Sequence, residues 1–243
     1  MSTSAKVTAR QRIENLLDDN SFVEIGAYVK ARNTDFNIQA KDTPSDGVIT
    51  GYGVINGGLV YVYSQDASVL GGSVGEMHAK KIASLYDMAM KTGSPVIGLI
   101  DSTGLRLQES VDGLNAFGQI YMKQSLASGV IPTITAIFGN CGGGLSIVAG
   151  LSDFTFMEVE NAQLFVNSPN AITENRKEIC DNASAKFQSE EAGNVDFVGT
   201  EAEVIEGIRN LVSVLPSNNE DEASDLECYD DLNRAAEGIE TRG

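Results

Sequence analysis

A β-strand, a glycine-containing turn and a helix follow one another three times between Val48 and Ala149 of this chain. The turns lie at residues 71–75, 101–106 and 139–144. Because each turn delivers a helix N-terminus to a common edge, the repeat predicts α/β architecture. The extra short strands also suit a ββα superhelix, and periodicity alone leaves this arrangement and a doubly wound sheet both open.

The boundaries of the elements follow from apolar periodicity and from turn residues. Asn56-Gly57-Gly58, between two β-rich runs, predicts a hairpin. Residues 31–46 are polar and predicted to be irregular. The predicted strands cover residues 21–29, 48–55, 59–63, 96–100, 131–138, 154–157 and 163–166, and the predicted helices cover residues 8–19, 76–92, 110–128, 145–149, 182–192 and 201–214.

The balance of charged residues argues against nucleic acid as a partner. The chain of 243 residues carries 34 Asp and Glu against 17 Lys and Arg, a formal net charge of −17, which repels phosphate backbones. The acidic residues are densest between Glu220 and Asp231, a pattern typical of a solvated linker. We therefore predict one domain over residues 1–216, followed by an acidic linker or tail over residues 217–243.

Cysteine spacing and hydropathy argue against several other classes of protein. Cys141, Cys180 and Cys228 are widely spaced and form no CxxC pair, so a zinc ribbon, a dithiol site and a disulfide framework are not expected. No metal site is predicted. The N-terminus lacks the apolar segment of a secretory signal, and no apolar run approaches the roughly 18–20 residues that span a membrane. The sequence thus predicts no membrane span and a cytoplasmic location.

The glycine turns are the segments best suited to chemistry. A helix N-terminus leaves up to about four N–H groups unpaired, and glycine lets a ligand atom approach them closely. Two such groups converging on one oxygen form an oxyanion hole. No turn matches GxxxxGKS/T or GxGxxG, so a phosphate loop and a dinucleotide site are not supported. The simpler alternative is that these glycines only permit tight packing of helix against strand.

Side chains suited to nucleophilic or acid–base catalysis are scarce near the turns. Ser73, Ser102 and Ser146 lie close to them, but a Ser–His–Asp triad would depend on His78, the only histidine. We expect His78 to cap a helix or to face solvent. Cys141 is a candidate thiolate at a helix N-terminus, although a small packing role is the simpler interpretation.

Several motifs, in the same order, resemble the carboxyltransferase subunits of propionyl-CoA and acetyl-CoA carboxylases. The resemblance extends from about residue 12 to residue 233, nearly the whole chain. The matching segments are Asp46 to Ile55, Gln65-Asp66, Gly71 to Glu76 with His78, Lys80 to Ile82, Gly93 to Ser102, Arg106 to Glu109, Ser128 to Pro132, Gly139 to Gly144 and Leu215 to Asn219.

This resemblance implies a crotonase-like (ClpP/crotonase) ββα superhelix, which the family normally carries twice per polypeptide. The N-terminal copy mainly holds acyl-CoA, and the C-terminal copy mainly holds biotin. The active site forms between the N-terminal copy of one subunit and the C-terminal copy of another. This chain matches a single N-terminal copy. The implied partners are a C-terminal carboxyltransferase half or subunit, a biotin carboxyl carrier protein and a biotin carboxylase, in a homo- or hetero-oligomer.

The implied reaction moves a carboxyl group between carboxybiotin, held on a separate carrier, and a short acyl-CoA such as acetyl-CoA or propionyl-CoA. Negative charge builds on the thioester oxygen, and no side-chain base is required. The expected catalytic donors are the backbone groups of Gly71, Gly72, Gly142 and Gly143. The expected substrate contacts are Ser73, Gly104, Leu105, Arg106, Gln108, Cys141 and Gly144, and the cations expected for the CoA phosphates are Arg10, Arg12, Lys80 and Lys81.

The chain departs from the family's pattern at the second turn. Ser102-Thr103-Gly104-Leu105-Arg106 stands where Ser-Gly-Gly-Ala-Arg is usual, so acyl-chain preference is expected to differ. Arg106 to Glu109 and residues 147–153 also resemble the carboxyltransferase subunit of malonate decarboxylase, which makes a malonate or methylmalonyl decarboxylase system the alternative. Two alternatives of another class are a stand-alone crotonase-type hydratase or isomerase, with Glu109 as its carboxylate, and a non-catalytic CoA-binding subunit.

Overall fold

A mixed sheet of eight strands organises the described part of the chain in the computed structural model, which covers residues 7–33, 42–168, 181–221, 229–231 and 233–235. Helices pack on both faces of this sheet, so the predicted α/β class is confirmed. The strands are β1 (Val23–Ile25), β2 (Val48–Ile55), β3 (Gly58–Gln65), β4 (Val96–Ser102), β5 (Thr133–Gly142), β6 (Phe154–Glu158), β7 (Gln163–Phe165) and β8 (Phe197–Gly199). The helices are α1 (Ala9–Leu16), α2 (Glu76–Thr92), α3 (Ser110–Ala127), α4 (Gly144–Gly150) and α5 (Glu201–Val214).

The parallel part of the sheet brings the three turns together. The strands follow the order β1-β2-β3-β4-β5-β6-β8, antiparallel from β1 to β3 and parallel from β3 onward, while β7 pairs with β5. Because β3, β4 and β5 are parallel neighbours, the segments after them meet at one edge, where open α/β sheets bind ligands. The predicted repeat of strand, turn and helix is confirmed.

Apolar side chains cover both faces of the sheet. On β4, Val96 and Ile100 pack into the cluster that contains the buried residues of α2 and α3, whereas Ile97 and Leu99 pack into the cluster of α1 and α5. This alternation follows from the two-residue period of a strand. The packing on both faces fixes β4 between the two helix layers, and it thereby fixes the position of the turn that follows β4.

The hairpin between β2 and β3 forms as predicted. Asn56 and Gly57 both adopt positive φ, at 50° and 87°. Positive φ at both central residues is the geometry of the two-residue type I′ turn.

Two N-terminal elements are shorter than predicted. The helix expected over residues 8–19 ends at Leu16, whose carbonyl accepts a hydrogen bond of 2.6 Å from Nη1 of Arg209. The strand expected over residues 21–29 is limited to Val23–Ile25, because Gly26 turns the chain with φ 73°. Neither the contact with Arg209 nor the positive φ of Gly26 can be read from the apolar periodicity on which the two predictions rested.

The third glycine turn is shorter than predicted. Residues 139–142 continue β5, which pairs with β7 through residues 140–142. The turn is thus reduced to Gly143, and the prediction of a turn over 139–144 is wrong for its first four residues. A side chain at Gly139 would overlap the Asp101 carboxylate, so this glycine serves the close packing of β5 against β4.

The C-terminal part differs from prediction in two places. A five-residue π-helical turn, Phe187–Glu191, replaces most of the helix expected over residues 182–192, and β8 was not predicted. Gln188 ties this turn to the sheet, because its Nε2 donates to the carbonyl of Leu164 at 3.0 Å. Within the irregular segment, Pro44–Gly47 forms a short 3₁₀ turn. Residues 34–41, Cys180 and Cys228 lie outside the described residues.

The domain boundary expected at residue 216 stays a prediction. Just beyond it, Nδ2 of Asn218 donates to the carbonyl of Gly93 at 3.0 Å, and the N–H of Asn219 donates to the carbonyl of Val130 at 2.9 Å. These bonds hold the first residues of the expected tail against the domain. None of the described helices combines the length and the apolar character needed to cross a membrane.

Candidate functional site

The first two turns are bonded to each other at the edge of the sheet. The N–H of Thr103 donates to the carbonyl of Gly71 at 2.9 Å, and the N–H of Val74 donates to the carbonyl of Gly104 at 2.8 Å. The third turn is adjacent, because a Cβ atom on Gly104 would lie 3.4 Å from the carbonyl oxygen of Gly142. Thr103 and Gly104 therefore lie between the other two turns.

A cavity of about 440 Å³ opens beside the first and second turns. The structure thus brings four of the predicted substrate contacts together, namely Ser73, Leu105, Arg106 and Gln108. The other lining residues are Leu70, Thr103 and Leu107, none of which the sequence singled out as a contact.

A buried charge cluster lies directly behind this cavity. Nη1 of Arg106 contacts Oδ1 of Asp46 at 2.6 Å and Oε1 of Glu109 at 2.9 Å, and at most 1% of each side chain is exposed. Nη2 of Arg106 also donates to the carbonyl of Ser73 at 2.6 Å. The guanidinium is thus fully committed within the protein. Arg106 holds the cavity wall in place and does not present a free charge to a ligand.

The same cluster closes the N-terminus of α2. Oε2 of Glu109 accepts from the N–H of Glu76 at 2.6 Å, and Oδ2 of Asp46 accepts from the N–H of His78 at 2.8 Å. Carboxylates at this end of a helix satisfy both the unpaired N–H groups and the helix dipole. The N–H groups of Glu76 and His78 are therefore not available to a ligand.

One donor of the first turn is also used internally. The N–H of Gly72 donates to the carbonyl of Val69 at 2.9 Å, so the expectation that Gly72 contributes to an oxyanion hole is wrong. The N–H of Gly71, in contrast, has no acceptor within the described part of the chain. Gly71 remains a candidate donor.

The N-terminus of α4 is open. Its N-cap residue is Gly143, and no side chain caps it. The N–H of Gly143 is taken by the carbonyl of Phe165 at 3.0 Å, which corrects the expectation for that residue. The N–H groups of Gly144 and Leu145 come next, and the described residues supply no acceptor for either. The donors of the third turn are therefore displaced by one residue or more from the predicted pair Gly142 and Gly143.

Helix α3 connects the cavity with this open helix end. A Cβ atom on Gly113 would lie 2.9 Å from the side chain of Leu105, which lines the cavity. Farther along α3, the hydroxyl of Tyr121 donates to the carbonyl of Gly144 at 2.7 Å. One rigid element therefore positions both the cavity wall and the open donors.

The outer face of α3 is apolar and uncovered. Five large apolar side chains, one just before this helix and four on it, are each between 52% and 76% exposed. Exposed apolar side chains that together form a large patch mark interaction sites. The residues are Leu107, Val111, Leu114, Met122 and Leu126; we call them the α3 stripe.

His78 neither faces solvent nor takes part in a triad. It is fully buried, with Nδ1 at 3.0 Å from the carbonyl of Asp46 and Nε2 at 3.2 Å from Nε2 of Gln65. Burial and, after it, the charge of Arg106 lower the pKa of His78 to about 3. The imidazole is therefore neutral at physiological pH, with the Nδ1 proton directed at Asp46 and Nε2 accepting from Gln65.

Cys141 is a core residue. It is completely buried, and burial raises the pKa of its thiol to about 12. The side chain is therefore a neutral thiol at physiological pH and does not reach the cavity. The small packing role is the one that the structure supports.

Two of the four cations expected to bind CoA phosphates are buried and occupied. Nε of Arg12 contacts Glu201 at 2.9 Å, and its guanidinium lies 4.6 Å from the ring centre of Phe138. Nζ of Lys81 donates to the carbonyls of Ser45, at 2.9 Å, and Val48. Burial lowers the pKa of Lys81 to about 8. The expectation that Arg12 and Lys81 bind phosphate is therefore wrong.

The other two cations stay predictions. Arg10 and Lys80 are about half exposed and pair with Glu24 and Glu76. Surface pairs of this kind contribute little to stability, so a phosphate can compete for these side chains at small cost.

Glu109 is not placed to act as a catalytic base. Oε1 accepts from Arg106 and Oε2 from the N–H of Glu76, and the side chain is buried. Among the described residues, no group of three or more His, Cys, Asp or Glu side chains is arranged to hold a metal ion. The donors that remain at the site are backbone N–H groups and neutral side chains.

Asp46 is the residue of the site that sequence reasoning undervalued. The segment Ser45-Asp46-Gly47 carries a turn signal, and both Ser45 and Asp46 do adopt positive φ. The available signal was Arg106, because a buried guanidinium requires a carboxylate partner. Which carboxylate it would meet, 60 residues away along the chain, depends on the fold.

The sequence of this chain is similar to those of known carboxyltransferases and decarboxylases. The family described as "Carboxyl transferase domain" matches residues 2–242. Methylmalonyl-CoA decarboxylase subunit alpha of Propionigenium modestum is 44% identical over 95% of this chain and 45% of its own length. Propionyl-CoA carboxylase beta chain of Roseobacter denitrificans is 40% identical over 97% of this chain and 47% of its own length.

A solved structure agrees with these relatives. Transcarboxylase 12S, in a crystal structure with methylmalonyl-coenzyme A and methylmalonic acid bound, superposes with a TM-score of 0.84 at 38% identity. The match covers 89% of this chain and 43% of that chain. The chain thus spans about half the length of the relatives that it matches.

Proposed function

The chain belongs to the carboxyl transferase domain family, and from this membership we propose that it supplies the acyl-CoA-binding half of a biotin-dependent carboxyltransferase. Its fold is the crotonase-like α/β fold of that family. The observation that carries the proposal is the open N-terminus of α4, where the N–H groups of Gly144 and Leu145 have no acceptor in the described part of the chain. They lie at the same edge of the sheet as a cavity large enough for a short acyl group.

The open donors suit an oxygen that gains negative charge. When the α-carbon of an acyl thioester loses a proton or releases its carboxylate as CO2, the bonding electrons stay behind, and the charge of the enolate develops on the thioester oxygen. N–H groups that are fixed before the reaction stabilise this charge without reorganisation, and loss of one such donor typically costs about 2.7–4 kcal/mol of barrier stabilisation. In this proposal Gly144 and Leu145 replace Gly142 and Gly143 as the expected donors of the third turn, while Gly71 stays a candidate at the first.

Biotin, carried on a separate protein, supplies and accepts the carboxyl group in this reaction. The residues described here fit the thioester part of that chemistry, since they offer backbone donors and an apolar wall formed by Leu70, Leu105 and Leu107. Their task is to hold the acyl group and its oxygen in position, which is how enzymes convert binding into rate. Arg10 and Lys80 are the cations that remain for the CoA phosphates.

The α3 stripe supports a partner domain over the cavity. It begins at Leu107, which lines the cavity, and continues along the exposed face of α3. A second carboxyltransferase domain seated there would bury these side chains and close the cavity from solvent. The proposal therefore includes a C-terminal-type carboxyltransferase partner, a biotin carboxyl carrier protein and a biotin carboxylase, in an oligomer.

A decarboxylase system is the second candidate. It is favoured by the 44% identity to methylmalonyl-CoA decarboxylase subunit alpha of Propionigenium modestum. Both reactions pass through the same enolate, so the open donors serve either direction, and the partner proteins decide which one is driven. The stand-alone hydratase is disfavoured, because Glu109 has both oxygens engaged.

Reconstitution tests the proposal. We expect transfer of a carboxyl group to propionyl-CoA only when this chain is combined with a C-terminal-type carboxyltransferase partner and a carboxylated biotin carrier. The partner and carrier without this chain serve as the control. Hydration of an enoyl-CoA by the chain alone would contradict the proposal, and affinity for propionyl-CoA without turnover in any combination would favour a non-catalytic CoA-binding subunit.

A further inference from the structure

We propose that the Thr103 hydroxyl recognises the carboxylate of a 2-carboxyacyl thioester, the carboxylated member of the substrate pair. This inference rests on the proposed function and adds a specificity-determining residue to it. It starts from the cavity beside the first two turns, which Thr103 lines and in which its side chain is exposed.

The position of Thr103 is fixed by Gly71. The N–H of Thr103 donates to the carbonyl of Gly71 at 2.9 Å. A Cβ atom on Gly71 would lie 2.9 Å from Cγ2 and 3.0 Å from Oγ1 of Thr103, so the threonine side chain rests on the Gly71 backbone. The hydroxyl is therefore held against the backbone of the first turn.

Two donors in the lining of this cavity are unused. Neither the hydroxyl of Thr103 nor the amide of Gln108 makes a hydrogen bond to any described residue. A threonine hydroxyl donates one hydrogen bond and a glutamine amide donates two. This set can serve two carboxylate oxygens.

The cavity offers these donors without a free cation. Arg106 is the one charged residue of its lining, and that guanidinium is already committed to Asp46, Glu109 and Ser73. A carboxylate in the cavity must therefore be held by neutral groups. Neutral donors suit a carboxylate that is to be lost, because a cation that bound it tightly in the ground state would oppose its release as CO2.

The remaining lining completes the match to the substrate class. Leu70, Leu105 and Leu107 provide apolar surface for the alkyl part of a short acyl chain. Donors on one part of the wall and leucines on the other fit a branched acyl group that carries one carboxylate and one small alkyl substituent. Methylmalonyl-CoA and propionyl-CoA are the matched probes, since they differ only in the carboxylate.

Calorimetric titration of the full chain with both probes tests this assignment. Thr103→Val keeps the shape of the side chain and removes the hydroxyl, whereas Thr103→Ser keeps the hydroxyl. We expect Thr103→Val to weaken methylmalonyl-CoA binding about tenfold or more, the usual effect of losing a hydrogen bond to a charged group. The affinity for propionyl-CoA should change less than about twofold, and Thr103→Ser should retain the preference of the unchanged chain for the carboxylated probe.

Each other outcome overturns a distinct claim. If Thr103→Val weakens both probes equally or neither of them, the hydroxyl does not read the carboxylate, and the assignment fails while the proposed function stands. If the unchanged chain binds neither probe, the proposed acyl-CoA-binding function fails, and the role of Thr103 fails with it.

Discussion

The turn at residues 71–75 and the turn that leads into α4 look alike in sequence and differ in the use of their backbone donors. Behind the first turn, the carboxylates of Asp46 and Glu109 occupy the N-terminus of α2. At the turn that leads into α4, no side chain caps the helix, and the N–H groups of Gly144 and Leu145 have no acceptor among the described residues. Glycine spacing thus locates helix ends, but distant side chains decide whether an end stabilises the fold or receives a ligand.

We call the turn at residues 71–75 the closed turn and the turn at Gly143 the open turn. The closed turn is also the one whose surroundings cost more free energy to bury. It gathers two carboxylates around one guanidinium in the interior, and burial raises the pKa of Asp46 although Arg106 opposes that shift. The open turn buries no charge of its own. The following predictions test this contrast, in order of decreasing effect.

Replacing the charge at the centre of the closed turn should have the largest effect. Arg106→Met leaves Asp46 and Glu109 buried without a counter-charge, which typically costs about 3–5 kcal/mol. Urea unfolding of the variant measures this loss. Arg10→Met is the control, because its exposed pair with Glu24 is expected to contribute at most about 1 kcal/mol. A loss below about 1 kcal/mol for Arg106→Met would show that the cluster does not hold the closed turn.

Acid should lower the free energy of unfolding through His78, which lies in α2 directly after the closed turn. Its folded-state pKa of about 3 lies below the ordinary value of 6.5, so neutral His78 favours the folded state. This contribution is complete above pH 6.5 and is lost as the pH falls from 6.5 toward about 3. With about 1.4 kcal/mol per pKa unit, the loss amounts to a few kcal/mol.

A variant isolates this contribution from those of the acidic residues. His78→Asn retains a donor where Nδ1 faces the carbonyl of Asp46 and does not titrate. The free energy of unfolding, measured between pH 7 and pH 4, should therefore fall less steeply for the variant than for the unchanged chain. Parallel slopes would mean that His78 is not buried in its neutral form.

Backbone conformation at the open turn should have a smaller effect. Gly143 has φ 61° and ψ −126°, and nothing lies within 4 Å of an added Cβ atom. Gly143→Ala should therefore cost about 1–3 kcal/mol through backbone strain alone. Gly118→Ala, in the middle of α3 and equally free of contacts, should instead stabilise by about 0.5–1 kcal/mol. Thermal unfolding of both variants tests the difference, and equal effects would contradict the special role of Gly143.

A new carboxylate at the open turn should separate stability from binding. Ser146 lies in the first turn of α4, so Ser146→Asp is expected to stabilise the helix by about 0.3–1 kcal/mol. The same charge should repel the developing negative charge of the thioester oxygen and weaken propionyl-CoA binding. Ser146→Asn serves as the neutral control. Unchanged affinity in Ser146→Asp would argue that the substrate oxygen does not approach α4.

The parts of the fold that sequence could predict are those with local causes. Asn56 and Gly57 carry their own hairpin geometry, and Ser73, Leu105 and Gln108 reach one cavity because they lie on turns that follow neighbouring strands. Arg12, by contrast, is buried by contacts that include Glu201, 189 residues away.

The donors themselves show the same limit. Gly72 and Gly143 look as suitable in sequence as Gly71 and Gly144. They differ only because the carbonyls of Val69 and Phe165 take their N–H groups. Phe165 belongs to β7, and its pairing with β5 also moved the turn from residue 139 to residue 143. A pattern within one turn contains no information on that partner strand.

Amide chemical shifts of the isotope-labelled chain, followed by NMR during titration with propionyl-CoA, test the contrast most directly. The account predicts that the N–H signals of Gly144 and Leu145 move as their groups gain an acceptor. The N–H signals of Glu76 and His78 should stay in place, since they are already bonded to Glu109 and Asp46. Shifts at Glu76 and His78 with none at Gly144 and Leu145 would contradict it.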